Sequence, residues 1–467
     1  MSQIAPSTRD SRWLALVVLC AGMLMIILDA TIVNVALPTI QRDLGFTQSS
    51  LAWVVNAYLI AFGGLLLLSG RLGDLIGQKR VFLAGLAVFT VASLLCGFAG
   101  SQEMLIAARF IQGAGGALAS SVILGMIVTM FPKPAERAKA IGVFSFVASA
   151  GASIGLLAGG VLTQAISWHW IFFVNIPIGI VVAALAVRLV TSDRGIGLSE
   201  GADVIGALLI TGALMLGVYT IVKAADYGWG SAHTIGLGAV AIALLTGFLV
   251  RQAYAAKPLL PLRIFRSRNV SGANVIQILM VAGLFGMFFL GALYLQRVLG
   301  YDAVQIGAAY LPVSIGIGAL SLRFAASLIT RHGARTVLLP GLALVAAGLA
   351  VFARAPVDGR YVIDVLPAML LLGVGAGLAF PAMMTLAMSD AKAGDSGLAS
   401  GLVNTTQQVG GALGLAVLAT LSTARTNSLL AGGEPAVSAL TSGYRLAFGI
   451  GAVLVGLALV LAVTVLR

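Results

Sequence analysis

The sequence predicts an all-α integral membrane protein with about 14 transmembrane helices, built as two six-helix bundles plus two inserted helices. Three observations carry this expectation. Of 467 residues, 60% are hydrophobic and 9% are charged, and the mean hydropathy is +1.05, a composition foreign to soluble domains. A window of about 19 residues finds fourteen apolar runs along the chain. Segments of the chain also resemble one another at a spacing near 256 residues, the weak internal symmetry of duplicated membrane folds.

The first run, 13–36, follows a short polar start with Arg9 and Arg12 and shows no small-residue cleavage site. It is expected to be a retained helix and not a signal peptide. Runs at 49–69, 81–100, 104–130, 140–163 and 170–189 follow, each near the ~20 residues a bilayer requires. These six make a first bundle, residues 1–189. Residues 190–269 hold the two inserted runs, 204–222 and 233–250, between two cytoplasmic segments. The second segment, 251–269, carries Pro258, Pro261 and five basic residues, as a solvated linker would. Runs at 270–296, 305–329, 336–353, 363–388, 402–423 and 445–466 complete a second bundle, residues 270–467.

Lys and Arg concentrate on cytoplasmic loops, and this sets the orientation. With the N-terminus inside, about twenty basic residues fall on cytoplasmic connections, among them Lys133, Arg188, Arg194 and Lys257, and about seven fall outside. Both termini are therefore expected in the cytoplasm and the chain in the inner or plasma membrane. The net charge of +12 reads as topology and attraction to anionic lipid. Basic residues scattered over separate loops form no nucleic-acid groove. Cys20 and Cys96 sit in apolar runs and read as small buried hydrophobes. His169, His233 and His332 lie far apart at run ends, so no metal site is expected. Asp203, Asp364, Asp390 and Glu103 stand at run boundaries, where capping or solvation explains them.

The repeat pairs four spans with four others in order. Val81–Val88 matches Val337–Leu344, Ala57-Tyr58-Leu59 matches Ala309-Tyr310-Leu311, Gly113–Gly116 matches Gly373–Ala376, and Ile154-Gly155-Leu156 matches Leu413-Gly414-Leu415. The differences are informative. Asp29 aligns with Gly291 and Arg109 with Met369, so each intramembrane charge is confined to the first half. A charge near a bilayer centre costs roughly 2.5–3.5 kcal/mol on insertion scales, which makes such residues candidates for a pathway or a partner. Asp29 lies about two-thirds along the first span and Arg109 about one turn inside the outer end of the fourth, and the two are expected to meet. A carboxylate beside a guanidinium keeps its charge, whereas a dehydrated one takes a proton. An alternating cavity could use that difference to load a proton on one side and release it on the other.

Gly70-Arg71-Leu72-Gly73-Asp74-Leu75-Ile76-Gly77-Gln78-Lys79-Arg80 joins the second and third spans. Glycine supplies the backbone angles of a tight hairpin, and Asp74 among Arg71, Lys79 and Arg80 can form charge-assisted bonds at the helix ends. The segment resembles the loop signature of the major facilitator superfamily, with Leu75 and Gln78 where basic residues are common. Leu28-Asp29-Ala30-Thr31-Ile32-Val33-Asn34-Val35-Ala36-Leu37-Pro38 is similar to the first-helix signature of its fourteen-spanner drug:proton antiporters, the EmrB/QacA type. Further likeness lies in Trp168–Gly179, Pro258–Phe265 and Gly397–Gly411, so that it spans nearly the whole chain. Leu105–Gly113 looks like the family's fourth-helix motif, whose arginine is implicated in proton coupling. The fifth-helix antiporter motif keeps Gly151, Gly155, Gly159 and Gly160, which serve close helix packing, but has Leu156 where the family usually has proline.

The resemblance implies a major facilitator fold and a secondary exporter of hydrophobic or amphipathic small molecules, with Asp29 and Arg109 coupling a proton gradient that serves as the energy source in place of any cofactor. Import or symport on the same fold is the alternative. The polar and aromatic residues Asn34, Asn56, Tyr58, Gln112, Asn274, Gln277, Phe285, Tyr294, Tyr310 and Gln408 on apolar runs are expected to line the cargo pathway, since broad pockets are apolar with a few oriented polar groups. One mid-membrane acid favours neutral or singly charged cargo. No G-x-x-x-x-G-K-[ST] loop is present, and the sequence lacks the paired carboxylates or Ser/His/Asp set of an intramembrane enzyme. The protein is expected to work as a monomer with protons, cargo and lipid as partners and no nucleic acid.

Overall fold

Backbone in hydrocarbon must satisfy its polar groups within its own segment, so each apolar run becomes a helix. The computed structural model describes residues 8–192, 195, 197, 203–256, 258–260, 262–388 and 396–466. Arg194, Lys257, Pro261 and Asp390 lie outside the described residues. The helices are α1 (Thr8–Leu44), α2 (Gln48–Ile76), α3 (Gln78–Gly97), α4 (Gln102–Met130), α5 (Pro134–Ala165), α6 (Trp170–Phe173), α7 (Asn175–Leu189), α8 (Val204–Tyr227) and α9 (Ala232–Tyr254). There follow α10 (Arg268–Arg297), α11 (Ala303–Leu320), α12 (Ala326–His332), α13 (Ala334–Phe352), α14 (Leu366–Met388), α15 (Ser396–Ala431) and α16 (Ala436–Thr464).

Among the described residues, 13 helical stretches are long and apolar enough to cross a membrane. The fourteenth expected span is α5, whose described apolar part, Ile154–Ala165, is shorter. Each of the fourteen runs thus corresponds to a helix or a helix pair. α6 and α7 form one span broken near Val174, because Pro177 has no N–H and its ring crowds the carbonyl four residues back. Several helices outrun their apolar stretch. α1 continues to Leu44 and α15 to Ala431, since hydropathy marks only the part in hydrocarbon while hydrogen bonding carries the helix into the interface.

The two bundles repeat one packing pattern. α1 packs on α5 and α7, α2 on α4, and α3 on α4 and α7; likewise α10 packs on α15 and α16, α11 on α14, and α13 on α14 and α16. Lipid is as apolar as a leucine side chain, so close backbone approach at small residues drives such contacts. A methyl group on Gly85 would strike Ala119 and the Gly115 carbonyl, and one on Gly341 would strike Ala379 and the Gly375 carbonyl. Gly77 and Gly333 open α3 and α13 with φ of 101° and 84°, the left-handed region that favours glycine. Near Gly77, the Lys79 ammonium donates to the Val187 carbonyl at 2.8 Å, so this base anchors the end of α7 in addition to any role around exposed Asp74. Asp74 is exposed and Arg80 is exposed, while Gly70 faces Ser121.

The bundles meet along two seams, α2 against α15 and α5 against α11, which the repeat exchanges. In the second seam Gly160 lies against the backbone of Ala303 and Val304, and Gly307 against the carbonyl of Leu156. At the same end Arg297 donates to the side-chain oxygen of Gln41 across the bundles. Gly151, Gly155 and Gly159 all face α1, at Leu24 and Ile27, Thr31 and Leu28, and Ile32. The helix-5 glycines therefore press α5 onto the stretch of α1 that carries Asp29.

The inserted hairpin is fastened at its base. Asp203 caps α8 by accepting the Gly206 N–H at 2.9 Å, and it also accepts Arg251 Nε at 2.5 Å and Gln252 Nε2 at 2.7 Å. Gln252 Oε1 in turn accepts the Leu260 N–H at 2.9 Å. Leu260 packs with Phe248, Val270 and Leu402. Within the expected linker Leu259 and Leu260 are buried, Leu260 because it finds apolar partners while Gln252 satisfies its N–H, and most of the other described residues of the segment are exposed or half-exposed.

Two outcomes follow from this packing. Gly155→Leu is expected to lower thermal stability in detergent by roughly 1–3 kcal/mol, the cost of overpacking. Desolvation raises the Asp203 pKa, but bonds from Arg251, Gly206 and Gln252 outweigh it and hold the carboxyl below its usual range. A depressed folded pKa stabilises above the unfolded value of about 3.9 and ceases to as pH falls below it. The melting-temperature gap between wild type and Asp203→Asn should be full at neutral pH and shrink below about pH 4.

Candidate functional site in the first bundle

Five helices bring a single buried polar cluster together. α1 supplies Asp29, α3 supplies Ser93, α4 supplies Arg109 and Gln112, α7 supplies Asn175, and α2 supplies a backbone carbonyl at Val54. Arg109 and Gln112 are three residues apart and so share a helix face. Asp29 and Gln112 are 0% exposed and Arg109 is 1% exposed, which removes water as a partner for the charges.

The Asp29 carboxylate accepts three hydrogen bonds. Arg109 Nη1 donates to Oδ2 at 2.5 Å, while Gln112 Nε2 and Asn175 Nδ2 donate to Oδ1 at 2.8 and 2.9 Å. Arg109 Nη1 also donates to Gln112 Oε1 at 2.6 Å, and its Nε donates to the Val54 carbonyl at 3.0 Å. Its guanidinium carbon lies 4.4 Å from the Tyr58 ring centre and 5.7 Å from that of Phe172, a favourable place for a desolvated cation. Ser93 Oγ accepts from Gln112 at 2.7 Å. Taking two charges out of water costs several kcal/mol each, and the three bonds to the carboxylate and those of the guanidinium offset it, although Asn175 Oδ1 and the Tyr58 hydroxyl have no partner among the described residues.

Asp29 and Arg109 meet as the sequence led one to expect. Of the expected pathway residues, Gln112 bridges the ion pair and Tyr58 covers its cationic end. Asn175, Ser93 and Phe172 are additions that the sequence reading missed. Their signal was present, as Asn175 and Ser93 are isolated polar residues in apolar runs, but nothing in the runs says which neighbour they face.

The remaining expected pathway residues scatter. Asn34 donates back to Ala30 and Thr31 of its own helix. Asn274 accepts from Thr406 at 2.8 Å, Gln277 bonds to Gln407 and the Val403 carbonyl, and Phe285 lies against Gly411; these are contacts between α10 and α15. Tyr294 is buried and donates to the Pro356 carbonyl at 2.7 Å, and Tyr310 is buried and donates to the Phe288 carbonyl at 2.8 Å. Both tyrosines therefore serve packing inside the second bundle. Gln408 faces Gly63 of α2, and Asn56 is fully buried on α2. A surface groove of about 780 Å³ runs past Arg425, Arg445 and Ile450 of α15 and α16 and includes no residue of the cluster.

The second bundle has the same frame without the charge. A methyl group on Gly291 would meet the Tyr310 hydroxyl, just as Tyr58 stands at the Asp29–Arg109 pair, and Met369 is buried where Arg109 has its counterpart.

Two related bundles of transmembrane helices around a single buried ion pair define a membrane transporter. The chain belongs to the Major Facilitator Superfamily, whose family model matches residues 19–415. It is 40% identical over 452 residues to the puromycin resistance protein pur8 of Streptomyces alboniger, covering 95% of this chain and 89% of that protein. It is 38% identical over 436 residues to the cephamycin export protein CmcT of Amycolatopsis lactamdurans, covering 93% and 88%. Among solved structures, the fold matches an inward-facing bacterial homolog of the human lysosomal transporter Spinster, with a TM-score of 0.68, 16% identity and 97% and 96% of the two chains covered.

Breaking a buried ion pair leaves an uncompensated charge, at a cost of roughly 3–5 kcal/mol. Asp29→Asn is expected to lower the melting temperature in detergent. Asp29→Asn combined with Arg109→Met, which gives the first bundle the residue of the second, should recover part of that loss.

Proposed function

We propose that the protein is a proton-driven exporter of hydrophobic or amphipathic small molecules, antibiotics among them, working by alternating access. The buried Asp29–Arg109 pair carries the coupling part of this reading, since it is a single titratable site with a built partner in a chain similar to resistance and export proteins.

In the arrangement described, Arg109, Gln112 and Asn175 stabilise the ionised carboxylate. Arg109 also holds the Val54 carbonyl of α2, so a shift of α2 relative to α4 loosens its grip on Asp29. A carboxylate released from its guanidinium in a dry site takes up a proton. Asp29 then cycles between an ion pair and a neutral acid as the bundles rock, and each state favours one orientation. Arg109 is the tuning residue and Asp29 the proton carrier. The Gly70–Arg80 loop, with Gly77 at its turn, acts as the cytoplasmic gate, and the helix-5 glycines let α5 slide on α1 although Leu156 replaces the usual proline.

The working units are residues 1–189, 190–269 and 270–467, and the chain acts as a monomer in the cell membrane with both termini in the cytoplasm. It needs no cofactor and does no chemistry on its cargo.

In everted vesicles, a proton gradient should drive puromycin into the lumen, and an ionophore that collapses the gradient should stop it. Accumulation that persists unchanged after collapse defeats the reading. Asp29→Asn should abolish gradient-driven accumulation while leaving cargo exchange without a gradient measurable, because exchange needs alternation but no net proton movement.

A further inference from the structure

The junction of α2, α8 and α15 holds buried polar atoms that the Asp29 cluster does not use. Asn56 is 0% exposed, and among the described residues neither its Nδ2 nor its Oδ1 has a partner. Thr211 Oγ1 of α8 and Thr405 Oγ1 and Gln408 Oε1 of α15 are buried without a partner as well. Buried amides and hydroxyls are nearly always hydrogen-bonded, so several unpaired ones at one junction require an explanation.

Thr211, Thr405 and Gln408 share a location beside Gly63 and Gly64, and Asn56 lies farther along α2. A methyl group on Gly63 would stand 2.7 Å from Gln408 Cβ and 3.6 Å from the Thr405 carbonyl, and one on Gly64 would stand 2.6 Å from Thr211 Oγ1. Adjacent glycines of α2 thus admit α15 on one side and α8 on the other. Asn56 precedes Gly63 by seven residues, about two turns or ~10 Å along the same face. α8 also joins α15 directly, with Thr420 Oγ1 donating to the Ile221 carbonyl at 3.3 Å, and it meets α2 again where Tyr219 lies 6.5 Å from Trp53. The inserted helix closes the α2–α15 seam from the lipid side.

We propose that this junction is a cargo subsite for uncharged hydrogen-bonding groups (hydroxyl, amide or carbonyl) spread along an extended cargo, with Asn56 contacting one and Thr211 of the inserted helix, about two turns away, another. It rests on the export reading given above. The unpaired atoms include donors and acceptors but no charge, which selects a neutral polar group on an otherwise apolar cargo. Its place links it to the proton site. Val54 and Tyr58, two residues either side of Asn56, both touch Arg109, so one turn of α2 carries the guanidinium's contacts on one face and the cargo amide on the other. The fourteen-helix architecture then has a specific use, because α8 completes the wall of the site.

The test compares wild type with Asn56→Leu and Thr211→Val in everted vesicles, using puromycin as the probe and thermal melting as the control for folding. The half-saturating puromycin concentration should rise about tenfold in Asn56→Leu, the effect of one lost hydrogen bond, and several-fold in Thr211→Val, with melting temperatures at or above wild type. Unchanged half-saturation together with a higher melting temperature overturns the proposal, since Asn56 is then only an unpaired buried amide. If wild-type vesicles do not concentrate puromycin, the export reading fails for that probe, and Asn56→Cys decides the subsite separately. Labelling of the purified variant by a small water-soluble methanethiosulfonate, beyond that of wild type with its buried Cys20 and Cys96, supports an accessible polar cleft, and no labelling overturns it.

Discussion

The ion pair between Asp29 and Arg109 is the constraint around which the first bundle is built. A guanidinium and a carboxylate at 2.5 Å with essentially no exposure are tolerable only if the charged atoms themselves are well bonded. That requirement explains why Gln112, Asn175, Ser93 and the Val54 carbonyl converge from four further positions, and why aromatic rings close over the cation. It also explains the helix break before Asn175, since Pro177 frees that end of α7 to present an amide to α1. Remove the pair and the cluster has no reason to exist, as Gly291, Tyr310 and Met369 show in the other bundle.

The same comparison separates what the repeat preserves from what it varies. Some backbone contacts at glycine recur in both halves, as at Gly85 and Gly341 or Gly115 and Gly375, because they set how closely helices pass. The charged pair does not recur. Shape is therefore duplicated, while charge and hydrogen bonding are placed once, the first half holding the ion pair and the central seams holding neutral amides and hydroxyls. The inserted hairpin respects this division: its base is held by the charged Asp203–Arg251 pair near the interface, and its membrane part presents apolar residues and Thr211 to the seam.

Most of the fold was legible because hydropathy reports how much of a helix lies in hydrocarbon, and the repeat orders the helices. Asp29 and Arg109 were legible for a related reason, as charges in apolar runs are costly enough to need each other. Neutral polar residues carried no such signal. Asn34 and Asn175 look alike in sequence, yet one bonds back to its own helix and the other reaches the ion pair. Tyr294 and Tyr310, expected along the cargo pathway, donate to carbonyls within their own bundle, a partner that hydropathy does not reveal. Nor does hydropathy say which neighbour a helix chooses, so the seat of α8 across the α2–α15 seam and the docking of Leu260 could be seen only in three dimensions.

The seam between α5 and α11 has one further consequence. At Gly160 and Gly307 main chain rests directly on main chain, with no side chain between the bundles to rotate out of the way. Such a joint cannot open by degrees through rotamer changes. A side chain at either position would have to displace main chain, so these two glycines set how closely the bundles approach along this seam.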